Sequence, residues 1–176
     1  MEIRKASVQD LGQIMQVYDK ARKFMRENGN AEQWGEDYPS AELIEHDIDK
    51  MYLCMSEGRI ACVFYYAAEE DEDYKEINGK WLNEEPYGVV HRVASTGIVR
   101  GAASFCLDRA YAQTLNLRMD TYSDNIPMQK LLEKCGFQYE GTLRRIYKIY
   151  DGTIKPVRCY TMLREEYDGL RHAGVL

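Results

Sequence analysis

The sequence contains no long hydrophobic run, and its longest apolar stretch, residues 61–68, covers eight of 176 positions. A membrane-spanning helix needs about 20 predominantly apolar residues, so the sequence excludes such a helix. No apolar segment of the secretory type follows the first residues, and we therefore expect a cytoplasmic protein. Internal repeats, low-complexity tracts and Pro/Gly/Ser-rich linkers are also missing. The length suits one domain, which we predict over residues 1–165, with a polar C-terminal tail at 166–176.

Basic residues and metal-ligand motifs are also scarce. There are 23 Lys and Arg against 29 Asp and Glu, so the formal net charge is −6. Nucleic acid is not expected as a partner, because binding it requires a basic face. The five cysteines include no CxxC pair, which favours reduced thiols, and the three histidines are far apart in sequence. We therefore expect no metal site.

Hydrophobic periodicity predicts the element order β-α-α-β-β-β-α-β-α-β-β. The strand–helix–strand segment in the second half implies parallel pairing through a crossover helix, whereas the hairpins on either side imply antiparallel strands. The fold class that follows is α/β (α+β-like), a mixed central sheet flanked by helices on both faces. The predicted strands are residues 3–6, 51–55, 59–68, 87–95, 116–121, 143–150 and 154–163, and the predicted helices follow Ser7 and Ser40, cover 100–114 and begin near Pro127.

The most informative stretch is residues 90–104, where a strand ends, a turn of small residues follows and a helix begins. Small residues allow a ligand to approach the backbone. The first N–H groups of a helix have no intrahelical partner and lie at the positive end of its dipole, so this pattern is typical of a phosphate or pyrophosphate site. An ordinary strand-to-helix connection explains the same residues. Neither a GxGxxG nor a GK[ST] motif is present.

This segment resembles the acetyl-CoA-binding motif of the GNAT acyltransferase superfamily. A second block agrees with it, because residues 125–128 (NIPM) followed by 131–137 (LLEKCGF) are similar to the family's N…A…Y-E-K-x-G-F block. The resemblance extends over residues 3–163 and implies the GNAT fold. It also implies direct transfer of an acetyl group from acetyl-CoA to a primary amine. The alternatives are a non-catalytic acyl-CoA-binding or sensing domain of the same fold and a phosphate-binding module unrelated to coenzyme A.

The resemblance implies a set of coenzyme A contacts. Backbone N–H groups at the helix start would hold the pyrophosphate, and the N–H of Val93 would stabilise the oxyanion formed when the amine attacks the thioester. The implied coenzyme A residues are Val93, Ala94, Ser95, Arg100, Gly101, Ala102, Ala103, Ser104, Asn125, Met128 and Lys134.

Two positions depart from the family pattern. Ile98 stands where the turn usually carries Gln or Arg, and Leu132 stands where many members carry the tyrosine that protonates the departing thiolate. Backbone groups do most of the phosphate binding in such turns, so Ile98 weakens the match without removing it. Leu132 leaves the role of the acid to another residue, to water or to no group at all.

The acid and the base are expected near the strand ends. His91 is a candidate base because its ordinary pKa lies near neutrality, although a lone histidine on an apolar strand is more often a structural residue. Glu69 and Glu70 end a strand that should border the cleft, although a solvated acidic loop at 69–73 explains them equally well. Tyr122 follows the strand beside the coenzyme A site and is a candidate acid.

The loop between the first two helices is expected to cover the acceptor side of the cleft. Trp34 and Tyr38 could frame the acceptor there, and Asp37 could hold a cation. The alternative is that Trp34 packs the loop onto the core. A small-molecule or peptide amine is the expected partner, rather than a membrane, and a homodimer is one expected assembly.

Overall fold

The computed structural model describes residues 1–71, 74, 81, 83–148 and 154–172. The strands are β1 (Glu2–Lys5), β2 (Met51–Ser56), β3 (Arg59–Ala67), β4 (Gly88–Ser95), β5 (Leu117–Tyr122), β6 (Gln138–Lys148) and β7 (Ile154–Met162). The helices are α1 (Leu11–Glu27), α2 (Ala41–His46), α3 (Ala102–Thr114), α4 (Ile126–Lys134) and α5 (Arg164–His172). The described strands form a seven-stranded mixed sheet in the order β1-β2-β3-β4-β5-β7-β6, flanked by helices. The predicted α/β fold is therefore confirmed.

Contacts group the chain into two compact units. The first unit consists of Met1–Ala67 and Val90–Cys106, and the second consists of Ala68–Val89 and Leu107–Leu176. Strand β4 and helix α3 therefore each contribute residues to both units. The single domain over residues 1–165 stays a prediction.

In the first unit, β1 pairs antiparallel with β2, and β2 pairs antiparallel with β3. Glu57 and Gly58 connect β2 to β3, and their φ angles are +50° and +72°. Two consecutive positive φ angles are typical of type I′ turns, which match the twist of the flanking strands. The predicted hairpin is therefore confirmed. Helix α1 packs against β3, and its buried face includes Ile14 and Tyr18, both 0% exposed.

In the second unit, Gly88 and Val89 of β4 pair in parallel with Leu117 and Arg118 of β5. Strand β5 pairs antiparallel with β7, and β7 pairs antiparallel with β6. The strand–helix–strand pattern predicted this parallel step, and the C-terminal hairpin predicted the antiparallel one. Strand β6 begins at Gln138, however, five residues before the predicted start at 143.

Helix α4 ends at a glycine that also makes room for α5. Gly136 has a φ of +85°, and the N–H groups of Gly136 and Phe137 donate to the carbonyls of Glu133 and Leu132 at 3.0 Å each. These two hydrogen bonds form a Schellman motif, in which a glycine after the helix is typical. A Cβ at Gly136 would lie 2.1 Å from Leu170 Cδ1, so α5 occupies the space that a side chain would need.

Helix α5 lies in the segment where the sequence predicts a polar tail. Its Tyr167 is buried, with its ring stacked on Tyr111 at a centroid distance of 4.0 Å. The hydroxyl of Tyr167 donates to Asp108. The helix was not predicted because one buried tyrosine and one leucine stand among charged residues. Such a sequence has too few apolar positions to show a helical stripe.

Two predicted features lie partly outside the described residues. These are the hairpin turn at Asp151 and Gly152, and Glu72 and Asp73 of the predicted acidic loop. Among the residues that are described, no helix has both the length and the apolar character that crossing a membrane requires. The same part of the chain holds no cluster of three or more His, Cys, Asp or Glu side chains suited to a metal ion.

Candidate active site

Hydrogen bonds join the turn between β4 and α3 to β3 within the first unit. Thr96 donates its backbone N–H to the carbonyl of Ala61 at 2.9 Å and its Oγ1 hydroxyl to the carbonyl of Ile60 at 3.0 Å. Gly97 and Gly101 have φ angles of +76° and +83°, which glycine adopts without steric penalty. The backbone path of this turn therefore explains why the sequence has small residues here.

Helix α3 begins with a residue that has no side chain. The carbonyl of Gly101 accepts the N–H of Phe105 at 2.9 Å, which makes Gly101 the N-cap residue. It cannot cap the first N–H groups of the helix as Ser, Asp or Asn would. Apart from Gly101 and its two chain neighbours, no heavy atom of the described residues lies within 4 Å of the position that a Cβ at Gly101 would take. An anion can therefore approach these N–H groups at the positive end of the helix dipole.

The side chains around this turn add little obstruction. Ala94 and Ala102 are buried, whereas Ser95 and Arg100 are exposed. Ile98, at the position that departs from the family pattern, is 40% exposed and carries no charge. Arg100 is thus the cationic side chain of the turn. The predicted residues of the β4–α3 segment form one continuous stretch of the first unit.

Strand β4 leaves the extended conformation at Arg92, whose φ is +53°. A positive φ is uncommon for a residue with a Cβ and persists where the surrounding contacts impose it. The side chain of Arg92 is 7% exposed, and its Nη2 lies 2.6 Å from Asp47 Oδ2. The guanidinium also lies 4.7 Å from the ring centre of Tyr65. No pattern in the sequence predicts this irregularity, because an arginine within a strand pattern indicates an ordinary exposed position.

Tyr18 of α1 holds the backbone at the same place. Its hydroxyl donates to the carbonyl oxygen of Arg92 at 3.0 Å. The side chain is 0% exposed, and burial raises the pKa of this phenol far above its ordinary value. Tyr18 is not among the site residues predicted from the sequence. Nothing local in the sequence signals a hydrogen bond between residues 74 positions apart.

His91, the candidate base, is half-buried on β4. Its ring lies 5.9 Å from the ring of Tyr65, centroid to centroid. The half-buried Val93 follows two positions later, on the other side of the irregular residue Arg92. Both interpretations of His91, structural and catalytic, fit this position.

The loop after α1 is packed at one end and exposed at the other. The half-buried Trp34 meets Tyr18 edge to face, with ring centroids 5.6 Å apart. Arg22 of α1 donates to the carbonyl of Tyr38 at 3.2 Å. Asp37 is exposed, and Tyr38 is 43% exposed. Trp34 therefore packs against α1, while Asp37 and Tyr38 stay at the surface, and a contact of any of the three with an acceptor stays a prediction.

In the second unit, Asn125 caps α4. Its Oδ1 accepts the backbone N–H of Met128 at 3.2 Å, and its own backbone N–H donates to the carbonyl of Tyr122 at 3.0 Å. The buried Gln129 donates to the same carbonyl at 3.1 Å. Hydrogen bonds of Asn125 and Gln129 therefore stabilise the connection from β5 to α4. A contact of Asn125 or Met128 with coenzyme A stays a prediction.

The predicted site residues of the second unit differ in exposure, and Leu132 is considered with them. Tyr122 is 7% exposed at the end of β5, and Leu132 is 0% exposed within α4. Glu69, Glu70 and Lys134 are exposed. The burial of Leu132 suits an apolar packing role. The exposure of Glu69 and Glu70 suits a solvated loop as well as a base.

Comparisons with known proteins give matches among solved structures. No protein-family model matches the sequence, and no curated protein matches it. An acetyltransferase of the GNAT family from Streptococcus agalactiae is 28% identical, with a TM-score of 0.79 over 92% of this chain and 94% of that one. A ribosomal-protein-alanine N-acetyltransferase from Brucella melitensis is 15% identical, with a TM-score of 0.64 over 93% and 99% of the two chains. An agmatine N-acetyltransferase is 14% identical, with a TM-score of 0.62 over 92% and 98%.

Proposed function

Because the chain belongs to the GNAT superfamily of acetyltransferases, we propose that it is an acyl-CoA-dependent N-acyltransferase. The proposed reaction moves an acetyl group from acetyl-CoA to a primary amine by direct attack. The observation that carries the proposal is the β4–α3 turn. There Gly101 leaves the first N–H groups of α3 without a side-chain cap and leaves open space where a Cβ would stand.

The residues of this turn fit coenzyme A. A pyrophosphate is an anion that accepts several hydrogen bonds, and the start of α3 offers N–H groups and the positive end of a 13-residue helix dipole. The exposed Arg100 adds a positive charge within reach of the same turn. The absence of a charged side chain at Ile98 fits a site in which the backbone does most of the binding.

Bound acetyl-CoA would supply a thioester carbonyl as the electrophile. In the proposal, the N–H of Val93 donates to the oxygen that becomes negatively charged, a contribution of about 2.7–4 kcal/mol for one such donor. The acceptor amine is mostly protonated at neutral pH, because an alkylamine has a pKa of about 10. His91 is proposed to accept the amine proton, directly or through water, with Glu69 as the second candidate.

Tyr122 is the proposed donor of a proton to the departing thiolate. Leu132 has no ionisable group and is fully buried, so it has no part in proton transfer. A thiol has a pKa of about 8.5, so its thiolate leaves without a strong acid and a weak donor such as a tyrosine suffices. Water is the alternative donor at this step.

The proposed acceptor is a small amine or a peptide N-terminus. The exposed carboxylate of Asp37 suits a cation, and the rings of Trp34 and Tyr38, 6.4 Å apart, suit the apolar part of an acceptor. The names of two structural relatives indicate very different acceptors. These are an alanine of a ribosomal protein for one relative and agmatine for the other. Both chemical classes therefore belong in a test of acceptors.

Turnover tests the proposal directly. The protein is incubated with acetyl-CoA and a panel of agmatine, other polyamines, free amino acids and a peptide with N-terminal alanine. Thiol release and the mass of the acetylated product are measured. We expect acetylation of at least one amine and a rise in melting temperature with coenzyme A. Thiol release no faster than without protein, together with no thermal stabilisation, contradicts the proposal.

A non-catalytic acyl-CoA-binding domain is the second candidate function. The observation that favours it is the buried Leu132, which stands where many members of the family carry the tyrosine acid. In that case coenzyme A raises the melting temperature and no amine in the panel is acetylated. The turnover experiment therefore separates the two candidates.

A further inference from the structure

We propose that Tyr18 is a positioning residue for the acyl transfer. Its hydroxyl fixes the peptide group between Arg92 and Val93, whose N–H is the proposed oxyanion donor. The inference rests on the proposed function, because this N–H has a catalytic role only if the protein transfers an acyl group. Tyr18 acts through the peptide and is not proposed to touch acetyl-CoA or the acceptor.

The geometry of the peptide bond links the two ends of this group. A peptide is planar and almost always trans, so its C=O and N–H point in opposite directions. Tyr18 donates to the carbonyl oxygen of Arg92 at 3.0 Å. That hydrogen bond therefore also sets the direction of the N–H of Val93. It polarises the peptide as well, which strengthens the N–H as a donor.

This peptide needs such a restraint because β4 is irregular at this point. The φ of +53° at Arg92 departs from the extended conformation, so the peptide that follows does not have the orientation of a regular pleat. The side chain of Arg92 is anchored by Asp47 and Tyr65. Tyr18 supplies the matching contact on the backbone, so the side chain and the carbonyl of one residue are both held.

The environment of Tyr18 restricts it to this role. Burial raises the pKa of its phenol far above the ordinary value, so the hydroxyl remains a donor throughout the pH range of an assay. It does not exchange protons with a substrate, and its loss is not expected to move the pH–rate profile. A phenylalanine at this position keeps the ring that meets Trp34 and removes the hydroxyl.

The experiment compares Tyr18→Phe with Tyr111→Phe. Tyr111 is a matched control, because it is 1% exposed and its hydroxyl also donates to a backbone carbonyl, that of Leu115, at 3.0 Å. We expect Tyr18→Phe to lower kcat by about 10- to 100-fold, with the KM for acetyl-CoA and the pH–rate profile nearly unchanged. Tyr111→Phe is expected to leave kcat within about two-fold of the unmodified protein. An equal loss of kcat in both variants overturns the inference.

A spectroscopic measurement reports on the donor itself. A hydrogen bond to the thioester carbonyl of bound acetyl-CoA lowers its infrared stretching frequency, and we expect a smaller decrease in Tyr18→Phe than in the unmodified protein. If that variant does not fold, Tyr18→Met keeps an apolar side chain at the site and replaces it in both measurements. An unchanged frequency and an unchanged kcat in the folded variant overturn the positioning role and leave the proposed function intact. If the unmodified protein neither binds nor turns over acetyl-CoA, the proposed function fails and the inference fails with it.

Discussion

The turn before α3 and the turn before α4 connect a strand to a helix in opposite ways. Helix α4 begins at Asn125, which has a φ of −84° and a side chain that accepts the N–H of Met128. Helix α3 begins at Gly101, which has a φ of +83° and no side chain. The start of α4 therefore has a side-chain cap of its own. The start of α3 receives no cap from Gly101, so its first N–H groups can bind water or a ligand. The N-cap residue therefore distinguishes a structural turn from a candidate binding turn.

The largest expected effect comes from making the α3 start resemble the α4 start. In Gly101→Asp the carboxylate is placed to accept the free N–H groups and would repel a pyrophosphate. We expect the affinity for coenzyme A to fall by about 100-fold or more, which corresponds to about 2.7 kcal/mol. The measurement is the rise in melting temperature with increasing coenzyme A.

A hairpin glycine controls for backbone strain in that experiment. Gly58→Asp introduces the same side chain at a φ of +72°, and there too the described part of the chain has no atom within 4 Å of the new Cβ beyond the adjacent residues. A side chain in this conformation costs roughly 1–2 kcal/mol wherever it occurs. Both variants therefore carry the same backbone strain, and only Gly101→Asp should lose coenzyme A. Unchanged binding in Gly101→Asp removes the proposed difference between the two turns.

The next effect concerns the strand that leads into the α4 turn. If Tyr122 is the acid, Tyr122→Phe lowers kcat by about 100-fold with little change in the KM for acetyl-CoA, since acid catalysis typically contributes 10²–10⁴-fold. Tyr111→Phe is again the control for loss of a buried hydroxyl. Retention of kcat in Tyr122→Phe assigns the proton to water instead of Tyr122.

Restoring a tyrosine inside α4 is expected to disturb packing. Leu132 is 0% exposed, so Leu132→Tyr forces a larger, polar side chain into a filled space. We expect the free energy of unfolding to fall by about 1–3 kcal/mol in a urea titration. Leu131→Tyr, at a half-buried neighbour, should cost less. An unchanged unfolding midpoint together with a higher kcat would show that position 132 can accept an acid after all.

The smallest effect tests whether Asn125 serves the helix alone. Asn125→Ala removes the cap and should lower the free energy of unfolding by about 1 kcal/mol, whereas Asn125→Ser keeps a capping oxygen and should lose less. If the cap is its whole role, the KM for acetyl-CoA stays the same in Asn125→Ser. A raised KM in that variant shows that the longer amide also contacts coenzyme A.

The order of strands and helices from β1 to β7 was predictable because it depends on local periodicity and turn residues. The hairpin at Glu57 and Gly58 and the end of α4 at Gly136 are examples, since each follows from residues adjacent in sequence. The polar start of β6, with Tyr139 49% exposed, shows no such pattern. Its partner strand β7 determines that start through main-chain pairing, which side-chain hydrophobicity does not report.

The candidate site was predictable where it consists of backbone and less so where it depends on distant contacts. Small residues before a helix identified the turn at Gly101 directly. The conformation of Arg92 depends on Asp47 and Tyr65, and its carbonyl depends on Tyr18. Each of these contacts joins elements well separated in sequence. A pattern along one element cannot report them.

The close approach of Leu170 to Gly136 has a consequence for where this chain can be shortened. A chain ending at residue 163 would lose α5 and uncover the ring of Tyr111, which Tyr167 now covers. It would also expose the backbone at Gly136, because this residue has no side chain to cover it once Leu170 is removed. Such a truncated protein would expose new apolar surface, which favours aggregation, and new backbone, which proteases can cleave. Helix α5 therefore covers the ring of Tyr111 in the second unit, and Gly136 leaves the space that Leu170 of α5 occupies.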